Sequence, residues 1–218
     1  MPDNVKGVSR RKALRAAEGV AGAVGAFGLT LAGYIKSATA RASSASRPPG
    51  ALPEEDFLSA CVHCGLCVQD CPYDILKLAT LEEPVATGTP FFIAREKACE
   101  MCEDIPCVKA CPTGALDHDL VDIKKADMGL AAFLSPEMCY AVQGTSCRAC
   151  YVACPVRDEA ITMLPLRKGN QMVFQPTVHS AACTGCGMCE EACITPQASI
   201  KVLPRALASH DSGLYIHG

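Results

Sequence analysis

The chain of 218 residues contains no tryptophan and only 6 Phe and 5 Tyr, so it is short of the aromatic side chains that dominate large hydrophobic cores. It shows no glycine-rich phosphate loop, no dinucleotide-binding fingerprint and no nucleophile with a spaced base, which leaves it without a substrate-transforming site of its own. No stretch fits a disordered chain, a collagen repeat or a multi-span membrane protein. Basic charge is also scarce outside one end. Residues 1–42 hold seven Lys or Arg and two acids, leaving 13 basic and 21 acidic groups in the remainder, a net of −8. An acidic body excludes nucleic acid as a main partner, because such binding needs a clustered basic surface. What the chain has in abundance is cysteine, 16 residues, with 17 Gly and 15 Pro to break up regular structure. Its interior is expected to be organised by sulfur.

The basic end opens with Ser9-Arg10-Arg11-Lys12, followed by residues 16–35, apolar apart from Glu18 and Thr30, and then by Ala38-Thr39-Ala40-Arg41-Ala42. An arginine pair ahead of a weakly apolar segment and a small-x-small site reads as a twin-arginine export signal over residues 1–42. Five Gly and six Ala in the twenty apolar positions make that segment a poor membrane insert compared with a Leu-rich span; an uncleaved membrane anchor is the alternative. Exported cysteine-rich chains usually carry disulfides. The twin-arginine route transports folded proteins, so thiols can receive a cofactor in the cytoplasm and leave already buried. Residues 43–60 read as a linker, starting with the Ser/Ala/Pro stretch 43–49.

The cysteines form four groups of four with none left over. The first is Cys61-x2-Cys64-x2-Cys67-x3-Cys71-Pro72, the second Cys99-x2-Cys102-x4-Cys107-x3-Cys111-Pro112. The third is Cys139-x7-Cys147-x2-Cys150-x3-Cys154-Pro155, and the fourth Cys183-x2-Cys186-x2-Cys189-x3-Cys193, with its proline delayed to Pro196. The last cysteines of successive groups are 40, 43 and 39 residues apart, which marks a unit repeated four times. A [4Fe–4S] cube needs one thiolate at each of four iron corners. Three closely spaced cysteines let one tight loop supply three, and in a C-x2-C-x2-C-x3-C-P run the last cysteine ligates the other cube of a pair. The same sixteen residues are therefore both cofactor-binding and metal-ligating candidates for four [4Fe–4S] clusters.

Zinc sites usually pair two C-x2-C hooks or mix Cys with His, and disulfide frameworks have no need of a C-x2-C hook in every repeat; neither accounts for the pattern as well. Short apolar runs flank the groups: Phe91-Phe92-Ile93, residues 130–134 and Met172-Val173-Phe174 before them, and residues 75–78, 160–163 and 199–202 after them. These predict short strands bracketing each loop, with a helical turn around each fourth cysteine. The fold expected is α+β: tandem ferredoxin-like modules over residues 61–205, built of short strands and short helices, with a tail at 206–218.

Several longer strings carry a resemblance. Arg47-Pro48-Pro49-Gly50-Ala51, the segment from Ala60-Cys61 to Cys71-Pro72-Tyr73-Asp74, the string from Cys99-Glu100-Met101-Cys102 to Ile105-Pro106-Cys107, and Pro176-Thr177-Val178-His179-Ser180 leading into Cys183-Thr184-Gly185-Cys186-Gly187 resemble the NapG/MauM family of ferredoxin-type proteins, over about residues 47–205. The resemblance implies a periplasmic four-cluster electron carrier, peripheral to or anchored at the inner membrane. It implies single-electron transfer from a membrane polyferredoxin and quinol dehydrogenase subunit of NapH type to a periplasmic redox acceptor, in either the nitrate reductase or the methylamine pathway. The alternative is an iron–sulfur subunit bound directly to a molybdenum-containing respiratory oxidoreductase; the absence of long insertions between groups argues against it. A zinc-stapled interaction module is the rival from another class.

Groups one and four share the same spacing, while two and three are each irregular. If paired loops are alike, the pairing is nested, as in the related respiratory iron–sulfur subunits. Cys193 then completes the cube of Cys61, Cys64 and Cys67, and Cys71 that of Cys183, Cys186 and Cys189. Cys154 joins Cys99, Cys102 and Cys107, and Cys111 joins Cys139, Cys147 and Cys150. The rival is sequential pairing, one with two and three with four. Among the histidines only His63 lies inside a cysteine loop; His118, His179, His210 and His217 form no ligand set. Glu100, Glu103 and Asp104 make an acidic run that reads as a solvated face or a docking patch.

Overall fold

The computed structural model describes residues 45–83, 85–208 and 216–217, all within one unit, Arg41–Gly218. The export signal, residues 1–42, and His210 lie outside the described residues.

The elements are short. Strand β1 (Ala45–Ser46) is followed by helix α1 (Glu54–Ala60), α2 (Leu66–Gln69), β2 (Lys77–Leu78), β3 (Pro90–Ile93) and α3 (Pro106–Lys109). A 3₁₀ turn (Ile123–Lys125) leads to β4 (Leu130–Phe133), α4 (Ala149–Ala153), β5 (Ile161–Lys168), β6 (Gln171–His179), α5 (Met188–Glu191), β7 (Ile200–Leu203), α6 (Arg205–Ala208) and β8 (Ile216–His217). Strands thus occur at or beside every apolar run expected to form one. β5 and β6 extend well past theirs, and β2 forms only at the end of residues 75–78.

Strand pairing divides the chain in two. In the second half β4 pairs antiparallel with β7 over four residue pairs, from Leu130↔Leu203 to Phe133↔Ile200. Between them the loop groups are separated by a long antiparallel hairpin, β5–β6, in register from Ile161↔Val178 to Lys168↔Gln171. The first half repeats this plan in reduced form: a single bridge joins Ala51, ahead of group one, to Leu116, behind group two, and β2–β3 pair at only two positions. β1 lies on the other edge of β3, and β8 runs parallel to β6.

The segment 45–60 does more than link. Its helix α1 opens with Glu54, Glu55 and Asp56 in the first turn, where acidic charge suits the helix dipole, and it buries Phe57 completely. Arg47 stacks its guanidinium 4.7 Å from the Phe57 ring centroid, pairs with Glu54 at 2.5 Å, and donates to the Thr89 hydroxyl and the Pro90 carbonyl. Composition suggested a linker because the residues packed against it lie 40 positions downstream. The main core is a single cluster in which cysteines mingle with Phe57, Phe92, Leu116, Phe133, Ile200 and small apolar residues.

The helical turns contain the third cysteine of each group, Cys67, Cys107, Cys150 and Cys189, and not the fourth as expected. The fourth cysteine follows the end of the turn, and in three groups the proline after it cannot extend a helix. That stop sends the fourth side chain away from its own loop.

Candidate metal centres

Four cavities are each lined by four cysteines. Cavity A is lined by Cys61, Cys64, Cys67 and Cys111; cavity B by Cys99, Cys102, Cys107 and Cys71; cavity C by Cys139, Cys147, Cys150 and Cys193; cavity D by Cys183, Cys186, Cys189 and Cys154. Every loop therefore contributes three cysteines to one cavity and exports its fourth to the neighbour. The exchange is sequential, between groups one and two and between three and four, and it overturns the nested pairing. Cys71 lines one cavity with Cys99, Cys102 and Cys107, while its expected partners Cys183, Cys186 and Cys189 line another. Similar gap lengths are not what selects a partner. The strands ahead of one loop and behind the next hydrogen-bond to each other, and this packs α2 against α3 and α4 against α5. The x3 spacing then lets the fourth cysteine reach only the adjacent loop.

The cavities lie in a row, A–B–D–C. Cys67 of A acts electrostatically on Cys107 of B, Cys186 of D on Cys99 of B, and Cys150 of C on Cys189 of D. Backbone hydrogen bonds close the central junction: the Cys99 amide donates to the Cys186 carbonyl at 2.9 Å, and beside it the Met128 amide donates to the Thr184 carbonyl at 2.9 Å. The Thr184 hydroxyl meets the Met101 sulfur at 3.6 Å. Arg95 adds a clamp across the halves, donating to the carbonyls of Glu190, Cys193 and Thr195.

Three of the loops get their shape from left-handed residues at equivalent places, while in group three the matching Arg148 has φ −136°. Group four uses Gly185 (φ +73°) and Gly187 (φ +91°), group one His63 (φ +57°) and Gly65 (φ +76°), group two Met101 (φ +55°) and Ile105 (φ +43°). Alternating left- and right-handed backbone turns successive N–H groups to one side and makes a concave anion site. The amides fall on the sulfurs: Met101 on Cys99, Met188 on Cys186, Val108 on Cys107. At Gly185 a Cβ would lie 2.5 Å from the Gly129 backbone, and at Gly187 2.5 Å from the Ala94 Cβ, so close approach requires glycine there. Ile105 and Met101 bear the left-handed conformation without that relief.

Burial, first, pushes the thiols up: Cys99, Cys107 and Cys150 to about 12 and Cys67 and Cys154 to about 11, with repulsion from neighbouring cysteines adding to it. Burial, with repulsion from Cys186 and Cys183, likewise raises Cys189 well above the ordinary thiol value. At Cys111 and Cys193 burial also raises, but donors outweigh it. Amides of Leu116, Thr113 and Ala115 with the Thr113 hydroxyl, and the Thr195 hydroxyl with amides of Thr195, Ser199 and Ile200, bring those two below the ordinary thiol value. The two hydroxyls stand 3.8 Å and 3.0 Å from their sulfurs. Thiols so placed become thiolates only beside concentrated positive charge.

The sixteen cysteines are free of disulfides. Among the described residues no three His, Cys, Asp or Glu converge on one ion-sized point; the cysteines instead line four separate pockets, four to each. Four sulfurs around a volume, with amides aimed at them, fit a multi-atom iron–sulfur group. A cube's +2 core stabilises the four thiolates, and the residual −2 of the whole suits the amide nests.

His63 lines cavity A and His118 meets the Cys111 carbonyl at 2.8 Å, while His179 bonds to the Thr162 hydroxyl at 2.9 Å. Glu100 lines cavity B, and it acts with Asp104 on Cys102. Thr113 and Thr195 were missed as site residues although the sequence offers a signal: each lies two positions after a fourth cysteine.

Comparison with known proteins agrees with this grouping. A 4Fe-4S dicluster domain matches residues 60–115 and again 145–196, so each match spans one exchanging pair, though Cys139 falls outside the second. The chain is 54% identical over 203 residues to the methylamine utilization ferredoxin-type protein MauM of Methylorubrum extorquens, covering 93% of this chain and 92% of that one. It is 52% identical over 208 residues to the ferredoxin-type protein NapG of Escherichia coli, covering 94% and 89%. The MauM of Paracoccus denitrificans is 49% identical over 200 residues, covering 92% and 89%.

Proposed function

We propose, on the premise that the chain belongs to the family of MauM and NapG ferredoxin-type proteins and so carries 4Fe-4S clusters for electron transfer, that it is a four-cluster wire. It takes single electrons from a membrane quinol dehydrogenase subunit of NapH type to a periplasmic acceptor. The observation that carries this is the row of four cysteine-lined cavities with the Cys99–Cys186 hydrogen bond at its centre. We read cavities A, B, D and C as holding one [4Fe–4S] cube each, in two tandem ferredoxin-like pairs. When bound, a cube supplies one-electron redox chemistry between its 2+ and 1+ core states.

The chain's own residues set where that can happen. Cys71 and Cys111 tie A to B, and Cys154 and Cys193 tie C to D, so adjacent clusters share a short backbone. Gly187 lets the D loop press against Ala94 of the first half, and Gly185 lets it press against Gly129 just ahead of β4, which holds the two inner cavities close. Amide donors on every loop favour the more negative, reduced state. Nothing in this requires a proton to move with the electron.

Location rests on Arg10 and Arg11. Export in the folded state by the twin-arginine route matches a protein whose cofactors are assembled before it leaves. The chain purified anaerobically should hold about 16 iron and 16 sulfide per molecule, as four cubes require, and should lose them from neither half alone. About eight of each would reduce the wire to one pair. Replacing Arg10 and Arg11 with Lys should leave the protein in the cytoplasm with its iron intact.

A further inference from the structure

The two outer cavities open to solvent in the same way but with opposite charge around them. Beside cavity A, Val62 is 61% exposed and Cys64 is itself exposed; beside cavity C, Ile194 is 62% exposed and Tyr140 lies at the lining as well. Residues 53–83, around A, carry seven acids and one base, Lys77, whereas residues 137–179, around C and the hairpin beside it, carry four bases and three acids. In a chain whose body is acidic overall, that second patch reverses the sign.

Three of these bases gather at the cavity. Arg148, between Cys147 and Cys150, stacks 5.5 Å from the centroid of the exposed Phe174 ring. Lys168, at the end of the β5–β6 hairpin, donates to the Val142 carbonyl at 3.4 Å in the long loop of group three. Arg167 beside it is exposed. Of the three acids, Asp158 is engaged by the Tyr151 hydroxyl at 2.6 Å, leaving Glu137 and Glu159.

We propose that this face docks the acidic surface of a one-electron redox protein, so that the wire has an anion-seeking end at C and an acidic end at A. The proposal rests on the reading of C as a cluster site. Exposed apolar side chains at the cavity lining give close approach, and the cationic ring around them gives orientation and speed. A membrane surface is the other anionic candidate. It is disfavoured because the exposed helix here, α4, has five residues, too short for an amphipathic helix lying in an interface. In the transfer one electron leaves a reduced cube, which returns to its 2+ core, and reduces the partner's centre by one unit; no bond or proton changes place.

The test uses the holoprotein. Redox-inert hexacyanochromate(III) should broaden the NMR signals of Val152 and Phe174 and spare Val62; the reverse pattern overturns the proposal, and this readout does not depend on clusters transferring electrons. In stopped flow, a blue-copper protein with an acidic face, in its Cu(II) form, should oxidise the reduced chain about tenfold more slowly when Arg148 and Lys168 are both replaced by Glu, at low ionic strength. The pair Arg167→Glu and Lys168→Glu, which leaves the ligand loop untouched, should slow it in the same direction. Oxidation by the cation hexaammineruthenium(III) should not slow in either variant. Unchanged rates with the copper protein, or binding to phosphatidylglycerol vesicles that these variants abolish, would overturn it. If the chain holds no cube at C, its reduced spectrum shows the missing cluster before any rate is measured.

Discussion

Residues 45–126 and residues 127–208 each hold two cysteine loops that trade their fourth cysteines, yet they are held together by different means. The second half uses strands: four residue pairs between β4 and β7 and eight along the β5–β6 hairpin. The first half has one bridge, Ala51 to Leu116, and two pairs each between β1 and β3 and between β2 and β3. It makes up the difference with side chains, since Phe57, Phe91, Phe92 and Leu116 are fully enclosed there and Arg47 fastens α1 over them. A pair of loops that must face each other across two cavities can thus be fixed by backbone ladder or by aromatic packing. What the halves share is the crossing of the fourth cysteine, and that crossing is set by which strands meet.

The largest break in this comparison comes from removing one crossing ligand in each half. On the proposed reading of one cube per cavity, Cys71→Ser should cost the cube at B, and Cys154→Ser the cube at D, each lowering iron from about 16 to about 12 per chain. Because B and D are the inner pair, both variants should interrupt transfer along the row while leaving A and C reducible in an EPR titration. Under nested pairing Cys71→Ser would strike the group of Cys183 instead. EPR of Cys71→Ser combined with Gly185→Ala separates these: the remaining D signal should be perturbed by the glycine change, and a spectrum without any D signal would reinstate nesting.

A smaller effect contrasts the glycines of equivalent loops. Gly185 and Gly65 share a left-handed backbone, at φ +73° and +76°, which alone costs an alanine about 1 kcal/mol. At Gly65 the nearest atom to a new Cβ is the Leu78 Cδ1 at 3.4 Å, the end of a flexible side chain. At Gly185 it is the backbone of Gly129 at 2.5 Å, and forced overpacking adds roughly 2 kcal/mol. Gly185→Ala should therefore be destabilised by about 3 kcal/mol against about 1 for Gly65→Ala, read as the order of guanidinium midpoints for bleaching of the cluster absorbance. Equal midpoints would mean that the Gly129 segment moves away from the D loop at little cost.

The sixteen cysteines and most strand positions were legible because each is a local signal: a fixed spacing, or an apolar run of three to five residues such as Phe91-Phe92-Ile93. The helical turn was misplaced by one cysteine, since Cys-Pro marks where a turn stops and not where it lies. Pairing was not legible from gap lengths, because the contact that decides it, Leu130–Phe133 against Ile200–Leu203, joins segments about 70 residues apart. The left-handed residues were half legible. Gly65, Gly185 and Gly187 announce themselves, while Met101 and Ile105 adopt the same conformation with side chains that normally avoid it; the loop closure around the cavity overrides their preference. Arg47 and Pro48-Pro49 looked like linker composition for the same reason that pairing failed, their partners being remote.

The smallest expected effect again sets one half against the other. Thr195 and Thr113 occupy matching places after Cys193 and Cys111, but their hydroxyls stand 3.0 Å and 3.8 Å from the sulfur. The Thr195 hydroxyl also faces the Gln197 carbonyl at 2.5 Å. With Cys193 as a cluster thiolate, a charge-assisted bond to sulfur outcompetes a neutral one to a carbonyl, so the proton goes to the cluster. A donor there stabilises the reduced, more negative state, and Thr195→Val should lower the midpoint potential of the cube at C. A bond of this kind is worth about 0.5–1.5 kcal/mol, which for one electron corresponds to roughly 20–60 mV. Thr113→Val, at the longer distance, should lower the cube at A by less than half as much, and Thr195→Ser should restore the potential at C. A potential that rises in Thr195→Val would mean that the hydroxyl keeps its proton on Gln197 and that the amides of Thr195, Ser199 and Ile200 alone account for the low thiol value of Cys193.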